Sequence, residues 1–132
     1  MRKEGSTNPA WTGIAAAAAG ASAVLLGALG AHALRTQLSA PMLQVWHIAV
    51  RFQFWHALAL VACALLPRSH AAHLAGVLFA LGIVLFCGSL YALALGAPRG
   101  VGFVTPLGGI ALVVAWVALG VALARRRAGG AP

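Results

Sequence analysis

Apolar residues run almost without a break through Trp11 to Leu34, Trp46 to Leu66, His73 to Leu95 and Phe103 to Ala124. Short stretches bearing arginine, proline or glycine divide the four runs. A hydrocarbon slab about 30 Å thick is crossed by roughly 20 helical residues at 1.5 Å each, so every run is long enough to span it. Spanning backbone must satisfy its own N–H and C=O groups as helix or closed barrel, and barrels show alternating segments of about ten residues, which this sequence lacks. The pattern predicts an all-α protein, an integral membrane four-helix antiparallel bundle with helices over 11–34, 46–66, 73–95 and 106–124. Connectors of 6 to 11 residues are too short for another fold, which makes 1–132 one transmembrane domain. Thr105-Pro106 reads as an N-cap followed by an N1 proline, so the last helix is expected to begin at Pro106. Gly96, Pro98, Gly100 and Gly102 mark the preceding connector as a turn-rich loop.

Composition agrees: 62% hydrophobic and 8% charged residues stand far from the roughly 25% charged residues of a soluble domain. Lysine and arginine set the orientation. Arg2, Lys3, Arg68, Arg125, Arg126 and Arg127 fall on one side, against Arg35 and Arg99 on the other. The positive-inside rule therefore predicts cytoplasmic termini. The net charge of +8 follows from this bias and implies anionic headgroups as partners, not nucleic acid. Arg2 and Lys3, the apolar run and Ala31-His32-Ala33 imitate a secretory signal. The run is long for a signal and three spans follow, so the expectation is a retained first span. Cys63 and Cys87 differ in depth by roughly 15 Å at helical rise, too far for a disulfide, and are expected to be buried small hydrophobes.

Helices in lipid associate through close packing of small residues. Gly13, Ala16, Gly20, Ala23, Gly27 and Gly30 recur at alternating three- and four-residue steps in the first span, and Gly108, Ala111, Ala115, Ala118 and Ala122 do so in the last. Two packing seams are expected there, for the bundle or for a homo-oligomer.

Polar chemistry concentrates in the second span, where His47, Arg51, Gln53 and His56 interrupt an aromatic and aliphatic run. Arg51 either snorkels to the outer headgroups or points inward. The only acid in the chain is Glu4, so an inward Arg51 needs helix-end carbonyls, Gln53, His32, a lipid phosphate or another chain's carboxylate. A cluster of His32, His47, Arg51 and Gln53 beneath the outer surface is the preferred placement. The lack of carboxylates excludes acid/base pairs, calcium or magnesium sites and acidic proton relays within the membrane. Bis-histidine haem would need His32 and His56 at one depth, and helical rise separates them; no cofactor or metal is expected. Ser89 is expected to bond its own helix and Tyr91 to sit at the outer interface.

Four ordered blocks carry a family resemblance: Gly27-Ala28-Leu29-Gly30-Ala31-His32-Ala33-Leu34, Arg51-Phe52-Gln53-Phe54-Trp55-His56-Ala57-Leu58-Ala59-Leu60, Phe86-Cys87-Gly88-Ser89-Leu90-Tyr91 and Thr105-Pro106-Leu107-Gly108-Gly109. Over residues 11–124 the chain resembles the domain of unknown function 423 family, small inner-membrane proteins with a eukaryotic relative in transmembrane protein 256. The resemblance implies a four-helix inner-membrane protein and carries over His32, Arg51, Gln53, His56, Ser89 and Thr105 as motif positions; it implies no activity. Phe52 and Trp55 stand where the family has tyrosines, and Cys87 where serine is usual. The seams and the unmatched Arg51 point to a non-enzymatic packing or accessory subunit of a larger membrane assembly. The competing reading is a small transporter, channel or lipid-handling protein using the outer-leaflet His/Arg cluster.

Overall fold

A computed structural model describes residues 8–128; Arg2, Lys3 and Glu4 lie outside the described residues. Four long helices follow one another, α1 (Ala10–Ala31), α2 (Ala40–Leu65), α3 (His70–Ala94) and α4 (Val104–Ala128). Short 3₁₀ turns at Leu34–Thr36 and Arg99–Phe103 join them on one side. Each is long and apolar enough to cross a bilayer, and the described residues contain no β-strand element. The protein is all-α.

Local chemistry sets the boundaries. α2 begins at Ala40, not at Trp46, because Ser39 lies in an extended N-cap conformation and Pro41 supplies the preset φ of a first turn. It stops at Leu66, held extended before Pro67. Ser69 caps α3, its hydroxyl accepting from the Ala72 N–H at 3.1 Å, so α3 starts three residues earlier than its apolar run. Past Ala94, Gly96 takes φ +95°, while the Ala97 N–H reaches the Ala92 carbonyl at 2.9 Å, a closure that glycine allows without strain. The connector after it, expected as loop, winds into a 3₁₀ turn that runs into α4 at Val104. Thr105 is therefore inside the helix rather than its cap.

α1 packs antiparallel on α2, α2 on α3, and α3 on α4. The core lies where the middle pair meets α4: Leu60 and Cys63 of α2, Ala75 and Phe79 of α3, Leu112 and Ala115 of α4. A smaller cluster of Leu34, Trp46 and Ala94 closes the opposite end. Asn8 ties the start of α1 to the end of α2, its amide donating to the Cys63 carbonyl at 2.5 Å. That carbonyl belongs to the last turn of α2, where no further intrahelical N–H follows except that of Leu66. Both cysteines are buried and free.

The small-residue seams divide. In α4, Gly108, Ala115, Ala118 and Ala122 are buried. In α1 the buried positions are Thr12, Ala16, Ala23 and Gly30, so the packed stripe keeps Ala16, Ala23 and Gly30 of the expected set. Gly27 still meets Val50, at 3.4 Å from the position of an added Cβ, but nothing lies within 4 Å of such an atom at Gly13 or Gly20. Gly20→Ala should accordingly leave detergent stability within about 0.5 kcal/mol of wild type, or raise it through helix propensity. A drop of 2 kcal/mol or more, on the order of a core defect, would mean that α1 is packed differently.

Candidate functional site

Three of the four motif blocks bond to one another, Gln53 to Tyr91 and Ser89 to Thr105. Gln53, only 5% exposed, faces α1 and α3. Its amide nitrogen donates to the Ala19 carbonyl at 2.9 Å and to Ser22 Oγ at 2.7 Å, and its carbonyl oxygen accepts from the Tyr91 hydroxyl at 2.8 Å. Ser22 in turn donates to the Ala18 carbonyl at 2.7 Å. One amide thus laces three helices with both N–H groups and its oxygen engaged. Two turns nearer the α1–α2 connector, the Trp46 indole N–H bonds the Leu26 carbonyl at 2.9 Å, and the ring packs edge-on against Tyr91 with centroids 4.7 Å apart. Gly30 makes room for that indole: a Cβ there would sit 2.7 Å from Trp46 Cδ1.

A second lacing joins α3 to α4. Ser89 Oγ donates to the Phe86 carbonyl at 2.9 Å and, its single proton used, accepts from the Thr105 hydroxyl at 2.7 Å. Beside it Gly108 lies against the Phe86 backbone so closely that no side chain fits between.

A π-helical turn at Ile83–Cys87 interrupts α3, the Gly88 N–H reaching back to Ile83. Such a turn inserts one residue beyond the α-helical count. At about 100° per residue an unbroken helix would put Tyr91 about 120° round from Phe79. The extra residue takes back most of that angle, so Phe79 meets His56 and Tyr91 meets Gln53 on the same helix α2.

The expected His32, His47, Arg51 and Gln53 cluster is not assembled. His32 is exposed at the end of α1, His47 is half-buried beside Gly30, and Arg51 is exposed. Ala49, Gln53, His56 and Leu60 turn to the core, and at 100° per residue Arg51 lies on the far side from them. Arg51 thus faces outward from the bundle, about five residues or 7 Å along α2 from Trp46. No carboxylate occurs among the described residues, and Glu4 lies outside them.

His56, 6% exposed, is ten residues further along α2 than Trp46, about 15 Å deeper, and so is not brought to His32. Its Nδ1 lies 2.6 Å from the Phe52 carbonyl oxygen. Phe52, Phe79 and Trp116 surround the ring at centroid distances of 5.8, 5.8 and 6.1 Å. The described residues contain no group of three metal-ligating side chains. Sequence reading missed Ser22, whose place in an alanine run carries no signal, and gave Tyr91 to the interface; Trp46 was taken only as the start of a run.

Four apolar helices tied by buried interhelical hydrogen bonds define a multi-pass integral membrane protein. The family model described as "Protein of unknown function (DUF423)" matches residues 26–109, a stretch that contains all four motif blocks. A UPF0382 membrane protein of Staphylococcus saprophyticus is 42% identical over 99 residues, covering 74% of this chain and 82% of its own. The UPF0382 membrane protein YwdK of Bacillus subtilis is 42% identical over 104 residues, covering 76% and 85%. The UPF0382 inner membrane protein YgdD of Escherichia coli is 38% identical over 106 residues, covering 78% and 81%. The chain belongs to this family of membrane proteins, as the motif blocks imply. No solved structure matches it.

Proposed function

We propose that the protein is a non-enzymatic accessory subunit of the bacterial inner membrane, docking α2 against a transmembrane helix of a larger assembly that offers a carboxylate to Arg51. The observation that carries this reading is the outward face of α2. His47, Arg51, Phe54, Leu58, Val61 and Leu65 recur at steps of four and three, the repeat of a left-handed helix pair, and Arg51, Phe54, Leu58, Val61 and Leu65 are exposed. A guanidinium at this depth is costly unless paired or drawn up to headgroups. A second copy of the chain is the poorer partner for the seam, because a two-fold axis along the membrane normal brings Arg51 level with Arg51. The inner membrane is the compartment in the name of the Escherichia coli relative, and the lysine and arginine bias favours cytoplasmic termini.

The remaining polar groups favour the non-enzymatic reading. Ser89, Thr105, Gln53 and Tyr91 bond one another or backbone carbonyls, so none of these three hydroxyls is left free beside a base that would activate it. The same saturation weighs against a transporter or channel, which would need such groups free to replace a solute's hydration.

The test is isolation in native lipid particles. Wild type should bring down a stoichiometric membrane partner, and Arg51→Gln should reduce that yield about tenfold or more, since a lone buried partner charge costs several kcal/mol. Neutralising the partner's intramembrane acid should have the same effect, and exchanging the two charges should restore the complex. Isolation of the chain alone, or full recovery of the partner with Arg51→Gln, would overturn the reading.

A further inference from the structure

Between α2 and α4 runs an open groove of about 980 Å³, floored by Phe86 of α3 and lined by Phe52, His56, Ala59, Leu112 and Trp116 among others. We propose that it binds a neutral, membrane-dissolved ring compound with a hydroxyl donor and an apolar tail, the prenylated hydroquinone class, with His56 Nε2 accepting the hydroxyl proton.

The histidine supplies the specificity. A carbonyl oxygen can only accept, so the 2.6 Å contact with the Phe52 carbonyl fixes the proton on Nδ1 and leaves Nε2 with a lone pair. No donor among the described residues reaches Nε2, although the side chain is more than nine-tenths buried. Nor is that atom sealed off. Among the described residues the one sealed side-chain polar atom without a partner is Asn8 Oδ1, and His56 lies on the groove wall. An unpaired acceptor in hydrocarbon is unfavourable by a few kcal/mol at most sites, and a visiting donor removes that penalty.

Depth narrows the donor. His56 is about 15 Å below Trp46 and about 14 Å from the end of α2 at Leu65, near the centre of a hydrocarbon slab about 30 Å thick. A phospholipid holds its phosphate at the interface and cannot deliver an O–H there. A molecule without a charged headgroup can. The walls then favour a flat ring, because Phe52 stacks on the imidazole and Trp116 stands edge-on to both His56 and Phe79, offering aromatic faces and edges to a planar guest. The groove continues from Gly109 to Leu123, about 21 Å of helix, with side chains suited to a hydrocarbon tail. The groove shares Leu58 with the proposed docking seam, but Phe52, His56 and Ala59 lie off that seam and Arg51, Phe54 and Val61 lie off the groove, so separate substitutions test the two readings.

The experiment uses the full chain in dioleoylphosphatidylcholine nanodiscs, kept anaerobic, with a short-tailed prenylated benzohydroquinone and its dimethyl ether as probes. Tryptophan quenching and the ¹⁵N resonance of His56 Nε2 are read together. The hydroquinone should bind saturably and shift Nε2, and the ether, which has no donor, should bind about fivefold more weakly. His56→Phe should bring the hydroquinone down to the ether's affinity without altering the ether's own, and Trp116→Leu should weaken both. Equal, unsaturable uptake of the two probes would overturn the proposal, as would a proton resident on Nε2 in the ligand-free protein. Should His56→Phe fail to fold, the Nε2 shift in wild type decides alone: its absence at saturating hydroquinone refutes the site.

Discussion

Gly108→Val should be the most damaging single substitution in the bundle, lowering stability by about 3 kcal/mol or more. A Cβ at this position would meet the Phe86 N atom and approach Phe86 Cα and Cβ at 2.8 Å. Overpacking that a flexible side chain can absorb costs roughly 1–3 kcal/mol, but here the obstacle is mostly backbone, and relief requires α3 and α4 to separate. Separation would also part Ser89 from Thr105, whose 2.7 Å bond lies beside the contact. Unfolding by sodium dodecyl sulfate titration, followed by circular dichroism, measures the effect. Gly120→Val is the matched control, since nothing lies within 4 Å of a Cβ there. Coincident curves for the two variants would show that the α3–α4 approach is looser than described.

Gln53→Leu should cost about 2 kcal/mol. Hydrogen bonds between membrane helices contribute on average about 0.6 and at most about 1.7 kcal/mol each, and this amide makes three, to Ala19, Ser22 and Tyr91. Leucine also leaves the Tyr91 hydroxyl without its acceptor. Tyr91→Phe alone should cost about 1 kcal/mol, and the double variant should cost less than the sum, because removing both ends orphans nothing. Strict additivity in the same titration would argue against a direct Gln53–Tyr91 bond.

The spans were legible because hydrophobicity over twenty residues is a strong signal and membrane backbone has few alternatives. Their ends were not, since Ser39-Ala40-Pro41 and Ser69 act through local capping that an apolar window ignores. Gln53, Ser89 and Thr105 could be singled out as polar atoms in hydrocarbon, yet their partners depend on how helices face one another, which a single sequence does not encode in any local feature. Thr105 shows the competition directly: its hydroxyl was a plausible cap by spacing, and the nearby Ser89 takes it instead. Arg51 was weighed as inward or snorkelling, and the buried set of α2 turns it outward. The α1 stripe failed at Gly13 and Gly20 because an alanine-rich helix offers several small-residue stripes, and the choice between them is made by the shapes of Val50 and Trp46 opposite.

The π-helical turn at Ile83–Cys87 also governs which changes of chain length the family can tolerate. Trimming one residue there would yield a straighter, locally more regular rod, yet it would swing Tyr91 away from Gln53 by about a quarter of a revolution or more. An insertion or deletion in the Leu34–Thr36 connector shifts no such alignment. Relatives should therefore vary in length between their rods, while the stretch from Gly82 to Tyr91 keeps a fixed count of residues.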